Sequence, residues 1–188
     1  MKCGRVNGVH SSARIFFSVH KDPIMTRTLV IGYGNIYRAD DGVAYHVINA
    51  LRRRLGHQTL PEGDSGMEEL GGEVDSLFLS QLVPELLDLL SGYDRVIFVD
   101  AHVDESIDDL HCMQVVPEFT PSMLTHHMTP ATLLALLKTL YHRELTGHIV
   151  SIRGYDFNFH RNLSSDTMSL IEPAVERILP LFLRNSPV

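Results

Sequence analysis

The chain alternates short, uninterrupted apolar runs with segments in which apolar residues recur every three or four positions. Residues 28–32 and 95–100 are the clearest runs, and residues 43–55 form the clearest segment of helical periodicity. Short apolar runs bounded by turn residues are typical of buried parallel strands, which need helical connections. The alternation therefore predicts a single three-layer α/β domain, with a mostly parallel five-stranded sheet and helices on both faces.

The remaining elements follow from the same patterns. We expect strands at 73–79, 111–116 and 148–152, and helices at 84–91, 130–140 and 165–183. Thr129 is a plausible N-cap, and Pro173 should kink or divide the last helix. The alternating aromatics of 153–159 indicate an edge strand or, less favoured, a peptide groove.

Residues 1–24 precede the first strand and contain neither the long apolar stretch nor the cleavage site of a signal peptide. We interpret them as a disordered leader or a mis-assigned start, and residues 25–188 as the domain. No apolar run approaches the roughly 20 residues of a membrane span, so no membrane partner is expected.

Charge and cysteine content narrow the class of function. The formal net charge of −7 argues against a nucleic-acid partner, which requires a basic face. Residues 52–54 are three consecutive arginines, which we interpret as a solvated helix face. Two cysteines are too few for a disulfide scaffold, so a reducing compartment, the cytoplasm, is expected.

Acidic and histidine side chains follow the predicted strands. Asp41 follows the turn after the first strand, Asp100 ends another, and His126 and His127 precede a predicted helix. Ligands bind at the carboxyl ends of parallel strands, so these groups form a candidate metal or acid/base site. Asp40 is interpreted as a helix cap, which leaves Asp41 as the better functional carboxylate.

Four stretches of the chain resemble the [NiFe]-hydrogenase maturation endopeptidases. Leu-Val-Ile-Gly-Tyr-Gly-Asn-Ile-Tyr-Arg-Ala-Asp-Asp-Gly-Val at 29–43 is similar to the opening G-x-G-N-x-x-x-x-D-[D/E]-G segment of that family. The stretches at 96–101 and 125–130, and Leu163-Ser164 followed by residues 171–174, resemble its later blocks, in order. The resemblance covers roughly residues 28–183 and implies phosphorylase/hydrolase-like or flavodoxin-like layering.

The resemblance also implies an activity and a site. The family removes a C-terminal extension from the [NiFe]-hydrogenase large-subunit precursor after nickel insertion, as a metal-dependent, aspartic-type endopeptidase. Carried over, Asp41 and Asp100 are catalytic, and Asp41, Asp100 and His126 bind the metal, with His127 as the alternative histidine. The metal is expected to be Ni²⁺ presented by the substrate, and Zn²⁺ is possible in the free enzyme.

Two other classes of protein remain open at this stage. The first is a non-catalytic α/β module that recognises a metal-loaded protein partner. The second is a nucleotide-binding enzyme, but Tyr37 stands where the dinucleotide fingerprint G-x-G-x-x-G has its third glycine. The chain also contains neither H-E-x-x-H nor G-x-S-x-G, which argues against zincin and serine hydrolase chemistry.

Overall fold

The computed structural model describes residues 26–119 and 128–183, and five strands within them form one sheet. The strands are β1 (Thr28–Tyr33), β2 (Val74–Leu79), β3 (Arg95–His102), β4 (Leu110–Gln114) and β5 (Thr146–Arg153). Their order in space is β2-β1-β3-β5-β4. All neighbouring pairs are parallel except β4 with β5, so the predicted mostly parallel sheet is confirmed.

Helices cover both faces of the sheet, as predicted. They are α1 (Val43–Arg54), α2 (Leu86–Leu90), α3 (Pro130–Tyr141), α4 (Ser165–Ser169) and α5 (Ile171–Leu183). One apolar cluster joins α1 and α5 to one face, and a second joins α2 and α3 to the other. Successive residues of β1 explain the two layers, because Val30 belongs to the first cluster and Leu29 and Ile31 to the second.

Two predicted helices differ from the observed ones. Helix α2 begins at Leu86, two residues later than expected. The last helix is divided at Leu170, and Pro173 lies in the first turn of α5, where its missing N–H is not needed. The prediction of a division is confirmed, but the break lies three residues before the proline.

The edge-strand interpretation of 153–159 is wrong. Strand β5 ends at Arg153, and its neighbours β3 and β4 make it an interior strand. Phe159 is 86% exposed rather than packed inward. The segment after β5 instead runs as a loop, because its backbone hydrogen bonds go to the carboxylate of Asp40 rather than to a neighbouring strand.

The arginine triplet is not a uniformly solvated face. Arg53 and Arg54 are exposed, whereas Arg52 is only 3% exposed. The guanidinium of Arg52 donates to the carbonyl of Gln58 and to Ser76, and it pairs with Glu69. Arg52 therefore ties α1 to β2 and to the loop between them, a role that only the tertiary structure reveals.

Within the described ranges, no helix has the length and apolar character required to cross a membrane. The predicted leader, residues 1–24, lies outside these ranges, and its interpretation remains a prediction.

Candidate active site

A tight turn after β1, residues 34–38, sets the geometry of the site, and we call it the glycine turn. Gly34 has a φ of 144°, and a Cβ built on it would lie 2.1 Å from the backbone oxygen of Asp41. Only glycine allows this approach. The close contact holds a single 3₁₀ turn, Ala39–Gly42, against the carboxyl end of β1 and so places Asp41 at the edge of the sheet.

Asp41 faces back onto the glycine turn. The backbone N–H of Asn35 donates to its Oδ2 at 3.1 Å, and the carboxylate is only partly buried. In a phosphate-binding loop, such an N–H would be directed at the phosphate. Here it is paired with a carboxylate, whose charge would repel a phosphate, so the turn is better suited to presenting Asp41 than to binding a nucleotide.

Asp100 is held on the neighbouring strand β3. The hydroxyl of Tyr33, at the end of β1, donates to its carboxylate, and the N–H of Ala101 donates to Oδ1 at 2.8 Å. Burial raises the pKa of Asp100 to about 6, although these two hydrogen bonds oppose the rise; the charge of Asp41 adds to it. Burial and the adjacent Asp100 also raise the pKa of Tyr33 above its ordinary value.

Asp41 and Asp100 line the same cavity, which has a volume of about 400 Å³ and which we call the acid cavity. Tyr33, Arg38 and Thr129 contribute to its walls. Thr129 is the N-cap of α3, so the start of that helix lies at the cavity that holds the two acids. The structure therefore brings together two of the three predicted site residues.

The third predicted residue, His126, lies outside the described residues, as does His127. Met128, two positions after His126 in the sequence, lines the cavity. In the ranges 26–119 and 128–183, no three His, Cys, Asp or Glu side chains are grouped closely enough to hold a metal ion. Two carboxylates in one cavity fit a divalent cation as partial ligands, and the histidine ligand remains a prediction.

The interpretation of Asp40 as a helix cap is wrong, because neither the 3₁₀ turn nor α1 has a side-chain cap, and Asp40 instead binds Ser164, the N-cap of α4. The side chain is fully buried and accepts five hydrogen bonds. The donors are the backbone N–H groups of Tyr155, Asp156 and Ser164, and the hydroxyls of Ser164 and Thr167. Burial alone would raise its pKa, but these hydrogen bonds hold the pKa below its ordinary value. Asp40 thus connects the 3₁₀ turn, which contains Asp41, with the start of α4.

Sequence reasoning missed Tyr33 and Arg38, among other residues of the cavity. Tyr33 is the last residue of β1, and the adjacent strand β3 brings Asp100 to the same edge of the sheet. Arg38 is exposed in the glycine turn and lines the cavity beside both acids. The strand-end position was a usable signal for Tyr33, whereas nothing in the sequence distinguished Arg38 from other loop arginines.

The backbone next to Arg38 is strained. Ala39 has a φ of 46°, a left-handed conformation that is uncommon for residues other than glycine. Its N–H donates to the carbonyl of His160 at 2.7 Å. Backbone strain of this kind persists where the surroundings enforce it, and it clusters at functional sites.

Several known proteins are similar to this chain over most of its length. Hydrogenase 2 maturation protease of Escherichia coli strain K12 is 27% identical over 172 residues, covering 86% of this chain and 93% of that protein. The solution structure of an endopeptidase from Escherichia coli has a TM-score of 0.63 at 25% identity, over 87% of this chain and 95% of its own. The maturating endopeptidase HybD from E. coli has a TM-score of 0.62 at 22% identity, over 84% and 93%. No model of a known protein family matches the chain.

The α/β fold, the paired acids at its strand ends and the named activity of these relatives support the class of peptide hydrolases. More narrowly, the chain is similar over most of its length to hydrogenase maturation proteases, which confirms the resemblance that the motifs at 29–43 and 96–101 indicated.

Proposed function

We propose that the protein removes the C-terminal extension of a [NiFe]-hydrogenase large-subunit precursor after nickel insertion. The observation that supports it most directly is the meeting of Asp41 and Asp100 in one cavity at the carboxyl ends of β1 and β3. Relatives that cover most of the chain are named as hydrogenase maturation enzymes, which supports the choice of substrate.

The chemistry we assign to the chain is hydrolysis by carboxylates. Asp41, oriented by the N–H of Asn35, accepts a proton from the attacking water as the water oxygen bonds to the scissile carbonyl carbon. The same proton passes to the leaving amine when the C–N bond breaks. Asp100, held by Tyr33, lies beside this centre and completes an aspartic-type site.

A divalent ion fits this proposal as part of the substrate. Asp41 and Asp100 would supply two oxygen ligands and His126 a nitrogen, which suits Ni²⁺ presented by the precursor, with Zn²⁺ as the alternative in the free enzyme. When bound, such an ion polarises a carbonyl or activates water. In this proposal the two aspartates recognise the nickel of a correctly loaded precursor and so restrict cleavage to it.

We also place the reaction in the cytoplasm. The chain has two cysteines, too few for a disulfide scaffold, which suits a reducing compartment.

A cleavage assay tests the proposal. The protein is mixed with nickel-loaded and nickel-free large-subunit precursor, and the products are identified by mass spectrometry. The Asp41→Asn variant removes the proposed base while keeping the size of the side chain. Asp108→Asn is the matched control, because Asp108 is exposed in the loop between β3 and β4.

We expect a C-terminal peptide to be released only from the nickel-loaded precursor, by the wild type and Asp108→Asn but not by Asp41→Asn. If a competent precursor is bound by all three proteins and cleaved by none, the chain is a recognition module and the endopeptidase proposal is wrong.

A further inference from the structure

A second cavity, of about 600 Å³, lies beside the one that holds the acids. The two cavities share Gly34, Ser80 and Gln81 in their walls, so they form one groove across the ends of β1 and β2. We call the second cavity the side groove. Five of its residues have large apolar or aromatic side chains: Ile36, Tyr37, Tyr45, Phe78 and Leu79.

The aromatic part of the side groove is fixed in place. Tyr45 of α1 and Phe78 of β2 pack edge to face, with ring centroids 5.2 Å apart at 70°. The hydroxyl of Tyr45 donates to the carbonyl of Leu60 at 2.7 Å. Its polar atom is therefore already paired, and the side groove is left with the apolar surface of the ring.

The loop before β2 forms another wall and is tied to the sheet. The N–H of Phe78 donates to the carbonyl of Ser65 at 3.1 Å, across the outer edge of β2. Asp64 accepts from the N–H of Gly66 at 2.9 Å, which closes a local turn. This wall is preformed, as is usual for ligand pockets.

Arg161 joins three loops at the rim of the side groove. Its guanidinium pairs with Glu62 at 2.9 Å and lies 4.8 Å from the centre of the Tyr37 ring. Each contact alone contributes little at an exposed site. Together they connect the glycine turn, the loop before β2 and the loop after β5, so Arg161 acts as a positioning residue for Tyr37.

We propose that the side groove receives a large apolar side chain next to the scissile bond of the precursor, and that the peptide passes from the acid cavity over Gly34 to reach it. This inference rests on the proposed endopeptidase function. The volume lies in the usual range for ligand pockets, roughly 300–1,000 Å³, and leaves room for one large side chain with its backbone. An apolar wall favours a large apolar side chain over a charged one. Burying the apolar side chain is favourable, whereas burying an unpaired charge is costly.

Filling the side groove tests the inference. Ser65→Phe places a ring in the groove, and Ser91→Phe is the matched control, because Ser91 follows α2 at the opposite end of the sheet. Both variants and the wild type are assayed on the natural precursor and on one whose large apolar residues flanking the cut are changed to alanine. We expect Ser65→Phe to raise KM for the natural precursor about tenfold with a smaller change in kcat, and to lose the preference between the two precursors.

A binding measurement separates this inference from the proposed function. The Asp41→Asn variant, isotopically labelled, is titrated with peptides that span the cleavage region, with and without the large apolar residues. We expect the amide resonances of Gly63, Ser65 and Ser80 to shift only with the apolar peptide. If these resonances shift but the wild type does not cleave the precursor, the proposed endopeptidase function is wrong and the apolar binding site is retained. If the wild type cleaves the precursor but Ser65→Phe leaves KM unchanged, the side-groove inference alone is wrong. The same holds if the wild type cleaves and the apolar peptide shifts none of these resonances.

Discussion

At the scale of single residues, two adjacent aspartates have different roles. Asp40 is fully buried and accepts five hydrogen bonds, so its charge serves the fold. Asp41, the next residue, is only partly buried and opens into the acid cavity. A buried carboxylate needs such partners, because leaving it unpaired is costly. Asp40, which stabilises the fold, is therefore adjacent in the sequence to Asp41, the proposed catalytic residue.

Asp40→Asn should destabilise the protein by about 3 kcal/mol. Both carboxylate oxygens accept backbone N–H groups, Oδ1 from Ser164 and Oδ2 from Tyr155 and Asp156. The amide NH₂ of asparagine would therefore face a donor in either orientation. Urea unfolding at neutral pH measures the loss, with Asp108→Asn as the exposed control.

The pH dependence checks the cause of this loss. The pKa of Asp40 is lower in the folded protein than its ordinary value, so its contribution to stability is complete above about pH 4. The contribution is lost as the pH falls through the folded pKa. The difference in stability between wild type and Asp40→Asn should therefore shrink below pH 4, and a difference that stays constant to pH 2 would argue against a role for the charge.

Asp100→Asn should abolish cleavage but stabilise the fold. The unfolded chain releases the Asp100 proton near pH 4, whereas the folded protein releases it only near pH 6. Ionisation of Asp100 therefore reduces stability as the pH rises from 4 to 6, and the penalty is complete above pH 6. We expect the variant to gain about 1–2 kcal/mol at pH 7.5 and nothing at pH 4, as measured by urea unfolding. A variant that is less stable than wild type at pH 7.5 would contradict this account.

At the scale of elements, the ends of strands and the starts of helices build the site. Tyr33 ends β1, Asp100 lies near the end of β3, and Thr129 caps α3. Parallel pairing brings these ends to one edge of the sheet. The cavity therefore depends on the caps and turns that stop each element at the right residue.

Thr129→Ala should destabilise the protein by about 1 kcal/mol, because Thr129 Oγ1 accepts from the N–H of Thr132 and satisfies one free donor of α3. Thr129→Ser retains the cap and should leave stability within about 0.5 kcal/mol of wild type. Thermal unfolding of the pair provides the measurement. Equal losses in both variants would assign the effect to the threonine methyl group rather than to the cap.

The elements with local signals were predictable from the sequence. The runs at 28–32 and 95–100 predicted β1 and β3, and Thr129 with Pro130 predicted the start of α3. The role of Asp40 was not predictable, because its partners lie 115 to 127 residues away in the chain. The burial of Arg52 was hidden for a similar reason, since β2 and the loop before it supply its partners only after folding.

At the scale of the whole molecule, the sheet separates two apolar layers. Ile48 of α1 belongs to the cluster on one face and Leu137 of α3 to the cluster on the other, and both are fully buried. The acid cavity draws on both layers, because Asp41 lies two residues before α1 and Thr129 is the N-cap of α3. The separation of Asp41 from the start of α3 therefore depends on how rigidly the sheet holds the two layers.

A double-mutant cycle measures the coupling between the layers. Ile48→Val should cost about 1 kcal/mol and Leu137→Ala about 2–5 kcal/mol, because each removes buried methyl or methylene groups. The two residues share no apolar cluster, so the costs should add to within about 0.5 kcal/mol in the double variant, as measured by urea unfolding with an unchanged m-value. A rigid sheet predicts this additivity.

A coupling energy above about 1 kcal/mol would mean that the layers relax together. Substitutions in α3 would then be transmitted through the sheet to the turn that carries Asp41.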